Sequence, residues 1–99
     1  MSAPLDRGAP RVGPVLEASE TGRAVAAAIL ESNTEATLED RGAYLRVSVP
    51  RRCAVTRLEI EAKLGRAFVL PGDLELVMPA FQGLLRVGED GVEWHFEGA

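Results

Sequence analysis

The chain has 99 residues, 46% of them hydrophobic and 26% charged, with a formal net charge of −4. That length suits one small domain or two closely packed subdomains sharing a core, and the composition excludes wholesale disorder. The negative balance and the scatter of the basic residues argue against nucleic acid, which needs clustered Lys and Arg; Arg51-Arg52 is the only tight pair and Lys63 the single Lys.

The opening "MSAPLDRGAPR" lacks a basic segment followed by an apolar run, so it does not read as a secretory signal. No apolar stretch approaches the roughly 18–20 residues that span a bilayer. Cys53 is alone and no intrachain disulfide can form. These features point to a cytoplasmic protein without membrane contact.

Residues 1–11, rich in Pro, Gly and small polar residues, read as a flexible tail. Val12–Ala18, "VGPVLEA", reads as a short strand. Pro14 should confine it to a sheet edge, or stand at its start, because proline cannot donate to the ladder. In "SETGRAVAAAILESN", Ser19 or Thr21 can cap a helix whose face is Val25, Ala28, Ile29 and Ser32. Asn33 is placed to end that helix in the left-handed conformation. "TEATLEDRG" then reads as a polar connector.

"AYLRVSVP" alternates, with Leu45, Val47 and Val49 on one face and Tyr44, Arg46 and Ser48 on the other. That is a half-buried strand, stopped by Pro50. In "TRLEIEAKLG", Thr56 and Glu59 form a capping box and Gly65 a C-terminal stop. Leu58, Ile60, Ala62 and Leu64 supply its apolar residues. "DLELVMP" alternates as a strand with Leu74, Leu76 and Met78 on one side. "FQGLLRVGEDGVEWHF" reads as a hairpin. Phe81, Leu85 and Val87 face Val92, Trp94 and Phe96 across an Asp90-Gly91 turn with positive φ. The expected fold is α+β: two helices packed on mostly antiparallel sheets, in two loosely related α/β halves.

Little in the chain can do chemistry. One His and one Cys cannot supply a structural zinc site. The enzyme reading is a small enzyme using Cys53, His95 or a carboxylate pair, and a nucleophilic Cys53–His95 pair is set against a structural Cys and an outward His on the last strand. Glu39-Asp40 and Glu89-Asp90 read as solvated turn carboxylates. No Walker-type or dinucleotide fingerprint appears. Trp94 and Phe96 read as core rather than as a base-stacking platform. By elimination the work is binding, with a generic interaction or ligand-sensing domain as the other reading.

Four segments in order resemble a known family: "VGPVLEAS", "ILESNTEATLEDRGAYLRVSVP", "VTRLEIEAKLGRAFVL" and "LELVMPAFQGLLRVGEDGVEWHF". The chain resembles the effector (coupling or regulatory) proteins of bacterial multicomponent diiron monooxygenases over Val12–Phe96. The toluene, phenol and alkene branch fits best, since the longer N-terminal tail of the methane branch is missing. The resemblance implies a single effector domain over 12–99 with no cofactor, no metal and no activity of its own. It implies docking on the diiron hydroxylase, tuning of oxygen activation, substrate access and coupling, and competition with a reductase or Rieske-type ferredoxin. It also implies a monomer when free. Carried over by position, the partner-binding residues are Asn33, Thr34 and Glu35 after the first helix, and Pro79, Ala80, Phe81 and Gln82 before the last hairpin. Asn33 also reads as a cap and Phe81 also as core. Tyr44 and Arg46, on the outer face of their strand, join the docking surface or simply cover the sheet. The family often has Asn-Pro where Asn33-Thr34 stands, and a Ser or Thr near Ala80.

Overall fold

A computed structural model describes residues 9–97, and the expected tail over residues 1–8 lies outside them. In chain order the elements are β1 (Arg11–Glu17), α1 (Glu20–Ser32), β2 (Thr37–Asp40), β3 (Tyr44–Pro50), β4 (Arg52–Thr56), α2 (Arg57–Leu64), α3 (Gly72–Glu75), β5 (Ala80–Gln82), β6 (Leu84–Val87) and β7 (Gly91–His95). The strands form a four-stranded sheet ordered β2-β3-β1-β5 and a three-stranded sheet ordered β4-β7-β6. Every pairing is antiparallel. The α+β class and its two main helices are as the sequence indicates. The two halves of the chain do not each keep their own sheet, because β5 crosses back to pair with β1.

One apolar cluster joins the layers. It holds Val25, Ala28 and Ile29 of α1, Leu16, Leu45 and Val47 of the first sheet, and Cys53, Val55, Val92 and Trp94 of the second. Burying a Leu, Ile or Val side chain of this kind contributes about 1.5–3 kcal/mol, so this contact is what holds the sheets together. Ser32, counted in the apolar stripe by spacing, is exposed instead. Helix α1 is capped by Ser19, whose Oγ accepts from the Gly22 amide at 3.1 Å. Helix α2 has the expected capping box: Glu59 N–H donates to Thr56 Oγ1 at 3.1 Å and Thr56 N–H to Glu59 Oε1 at 2.9 Å. Gly65 ends it at φ 82°. Ile60 is the buried residue of this helix, whereas Leu58 and Ala62 are exposed.

Several local expectations are corrected. Arg11, assigned to the tail, begins β1, and Ala9 before it is buried. β1 is an interior strand despite Pro14. The β1–β3 register runs through Arg11, Val12, Val15, Leu16 and Glu17 and is interrupted at Gly13 and Pro14, so the missing proline donor falls at a break in the ladder. Gly13 takes φ 142°, and a Cβ there would run into the carbonyl oxygen of Val47, so only glycine fits. The polar connector contains β2, which pairs with β3 even though all four of its residues are exposed. The stretch after Arg51 forms β4, whose short alternation between two arginines gives little sequence signal.

"DLELVMP" is not a strand. Asp73 bonds back to Val69 through both its carboxylate and its backbone N–H, at 2.8 and 2.9 Å, and starts the helical turn α3. Leu74 and Val77 are buried at helical spacing, while Leu76 is 76% exposed. The final hairpin forms with Leu85 opposite Trp94 and Val87 opposite Val92. Phe81 belongs to the other sheet, and Phe96 lies beyond β7 and is exposed. The turn is Gly88–Asp90, closed by Gly88 N–H to the Gly91 carbonyl at 2.9 Å. Gly91 starts β7 without a positive φ.

Candidate functional site

The register of the first sheet assembles the candidate site. Val15 stands opposite Arg46 on one side and Ala80 on the other, and Arg46 stands opposite Glu39. Glu39, Arg46, Val15 and Ala80 therefore form one cross-strand row on one face. The next row places Thr37 beside Ser48, and Gly13 beside Gln82. Tyr44, opposite Glu17, shares this face with Arg46 because strand side chains alternate with period two. The opposite face carries Leu16, Leu45 and Val47 into the core. On the outer face Arg46, Ala80 and Gln82 are exposed, Tyr44 is 48% exposed and Val15 is half-buried.

Two shallow hollows adjoin there. One, about 300 Å³, is lined by Val15, Glu39, Arg41, Tyr44 and Arg46. The other, about 450 Å³, includes Arg11, Thr37, Ser48 and Gln82, and shares Glu39 and Arg46 with the first. A larger groove of about 540 Å³ lies against the second sheet. Its polar groups are mostly engaged already: Arg52 with Glu93 at 2.8 Å, Glu59 in the capping box, and Asn33 with backbone.

The loop after α1 meets the outer face through Arg11. Its Nε donates to Ser48 Oγ at 2.9 Å, and Nη2 reaches the carbonyls of Ser48 at 3.0 Å and Glu35 at 3.2 Å, and Thr37 Oγ1 at 3.2 Å. One guanidinium thus links β1, β3, β2 and the loop. Thr34 and Glu35 are exposed beside it.

Asn33 behaves differently. Its backbone is extended at φ −129°, not left-handed. Its amide Nδ2 donates to the carbonyls of Ile29 and Ala54, both at 2.9 Å, and Oδ1 accepts from Ala54 N–H at 3.2 Å. The side chain ends the helix and ties it to the open edge of β4. Phe81, opposite Pro14, points away from the Ala80–Gln82 face and is 42% exposed, so it is neither core nor part of that face. Pro79 is exposed at the entry to β5. Among the suggested residues, Tyr44, Arg46, Ala80 and Gln82 come together, Thr34 and Glu35 lie at the rim, and Asn33 and Phe81 stand apart. Val15 and Arg11 were missed: Pro14 obscured the alternation around the first, and the second was assigned to the tail.

Cys53 and His95 do not form a pair. Cys53 stands opposite Trp94 and is fully buried, and burial pushes its thiol up to about 12. His95 is the next residue along β7 and projects from the other face of the sheet. Among the described residues no group of three or more His, Cys, Asp or Glu is placed to hold a metal ion, and no helix is long and apolar enough to cross a membrane.

A small α+β fold whose grouped surface residues face outward from a sheet that no other described element covers is the build of a binding component. The chain belongs to the MmoB/DmpM family, whose model matches residues 10–95. Members of this family are non-catalytic effector or regulatory components of multicomponent monooxygenases, and so is this chain. It is 35% identical over 88 residues to the effector subunit of the alkene monooxygenase system of Xanthobacter autotrophicus (strain ATCC BAA-1158 / Py2), covering 87% of this chain and 86% of that protein. The fold is shared with chains in two solved structures of phenol hydroxylase–regulatory protein complexes. One has a TM-score of 0.79 at 22% identity, covering 89% of this chain and 100% of that one. The other has a TM-score of 0.71 at 25% identity, covering 86% and 100%.

Proposed function

We propose that this chain docks on the diiron hydroxylase of a hydrocarbon monooxygenase through the outer face of its first sheet, and that docking tunes oxygen activation, substrate access and the coupling of electron use to product. The observation that carries this reading is the row Arg46–Val15–Ala80. It brings segments distant in sequence onto one surface that is open among the described residues, with Tyr44 and Gln82 beside them. The fold likeness to chains from phenol hydroxylase–regulatory protein complexes supports a hydroxylase as the partner.

The energetic logic is differential binding. An effector shifts a hydroxylase between two states only by its difference in affinity for them. A preference of about 2.7 kcal/mol shifts the ratio by roughly a hundredfold, and a well-packed interface of standard size can supply that. The chain acts as one effector unit over 12–99, monomeric when free and cytoplasmic, and a reductase or Rieske-type ferredoxin competes for the hydroxylase surface it covers. No cofactor or metal is needed on this side, because the iron and oxygen chemistry belongs to the partner.

The test is reconstitution of the hydroxylase and its electron donor with and without the chain. The wild type raises turnover and product per reductant consumed, with an optimum near equimolar amounts. Ala80→Trp, which adds bulk to the exposed face without touching the core, loses most of that stimulation. Well-coupled full turnover without the chain would overturn the reading.

A further inference from the structure

Carboxylates are unevenly distributed in this acidic chain. Residues 43–58 contain four arginines (Arg46, Arg51, Arg52 and Arg57) and no Asp or Glu, and residues 76–88 contain Arg86 and no carboxylate. These two stretches include β3 and β5, which flank β1 on the outer face. On the outer face itself the two stretches place one charged residue, Arg46, while Arg11 and Arg41 on one side of the balance and Glu17 and Glu39 on the other come from β1, β2 and the turn after it.

Arg46 is the arginine of this face that its neighbours leave without a partner among the described residues. Its neighbour across the strand pair, Glu39, is held by Arg41 at 3.0 Å, and Arg46 forms no ion pair among the described residues. Arg11, a further arginine of this face, is engaged by hydroxyl and carbonyl oxygens at β2, β3 and the loop. Beyond the Glu39–Arg41 pair on one side, the neighbours of Arg46 are uncharged: Tyr44 two residues before it, Val15 opposite it, and Ala80 beyond Val15. Both hollows of the face open beside it. A guanidinium with five donors in a planar fork, set between that ion pair and a patch of apolar and small residues, suits a carboxylate presented by a partner. Covering the face would remove water and strengthen the pair.

We propose that Arg46 reads a carboxylate on the hydroxylase, so that the patch opposing this face is acidic at its centre and apolar around it, with Val15, Tyr44 and Ala80 meeting the apolar part. This rests on the docking reading above and adds the chemistry of the partner surface. Such a charge steers encounter and discriminates against a basic or neutral surface.

The experiment is titration of the cognate hydroxylase with the fluorescently labelled chain, over a range of salt concentrations, for wild type, Arg46→Lys, Arg46→Gln, Arg46→Glu and Ala80→Trp. Circular dichroism and thermal melts confirm that each variant is folded. Arg46→Glu is expected to weaken binding by more than about tenfold at low salt and Arg46→Gln by less, since repulsion adds to the lost attraction. Arg46→Lys, which keeps the charge but not the planar fork, is expected to lose less affinity than Arg46→Gln, and Arg46→Gln to flatten the salt dependence. If Ala80→Trp abolishes binding while Arg46→Glu stays within about twofold of wild type, the carboxylate inference fails and the docking face stands. Equal losses in Arg46→Gln and Arg46→Glu with an unchanged salt slope also overturn it, because shape rather than charge would then be read. If neither Ala80→Trp nor Arg46→Glu weakens binding, the docking face fails as well.

Discussion

Asn33 and Ala54 are bonded as two strands would be: the side-chain amide of Asn33 donates to the Ala54 carbonyl at 2.9 Å and accepts from its N–H at 3.2 Å. The same Nδ2 also reaches the Ile29 carbonyl in the last turn of α1. Asn33 thereby joins the first helix to the open edge of β4.

Asn33→Ala should therefore lower stability by about 1–3 kcal/mol, the cost of leaving half-buried backbone groups without partners. Chemical denaturation measures it. At a temperature where the variant is folded, hydroxylase stimulation should be close to wild type, because the side chain is spent inside the molecule. A stable variant with lost stimulation would return Asn33 to the docking surface.

Glu61 ties the end of α2 to the loop that follows. Its Oε2 accepts from Phe68 N–H at 2.8 Å and from Arg57 at 3.0 Å. The Phe68 amide, then Arg57, hold its carboxyl below the ordinary value of 4.5. Glu59 is lowered likewise, first by the Thr56 amide. A depressed folded-state value means that the unfolded chain binds protons first as pH falls. Stability from these groups is present above about pH 4.5 and is lost as pH drops through their folded values. Melts between pH 6 and pH 3 should show this decline, and Glu61→Gln should make it shallower. An unchanged slope in that variant would contradict the role of Glu61.

Cys53 is buried with its thiol pushed up to about 12 by loss of solvent, against a smaller lowering by Arg52. Thiolate is the reactive species, so the native protein should resist a thiol-specific disulfide reagent and react fully once unfolded. His95→Ala should leave hydroxylase stimulation intact. Fast labelling of the native chain, or loss of stimulation in His95→Ala, would revive an enzyme reading.

How much was legible in the sequence follows from how local each signal is. The Thr56–Glu59 capping box and the alternation of Leu45, Val47 and Val49 depend on neighbours a few residues away, and both appear as read. The Leu74, Leu76, Met78 pattern served strand and helix alike until Asp73 closed a turn onto Val69. The interior position of β1 was hidden because Pro14 argues for an edge, and only the break in its pairing with β3 reconciles the two. Tyr44 and Arg46 were legible as outward residues from alternation alone. Their meeting with Ala80 was not, since it depends on β5 crossing to pair with β1. Arg11 left no sequence signal of its role, because its partners at residues 35, 37 and 48 are brought together only by the fold.

The most direct measurement of the docking claim is amide hydrogen exchange of the chain, free and saturated with its hydroxylase. Docking through the outer face predicts slowed exchange in 34–40, 44–48 and 80–82, with 84–87 and 91–95 of the second sheet little changed. Protection confined to the second sheet, with no change in β3 and β5, would contradict it.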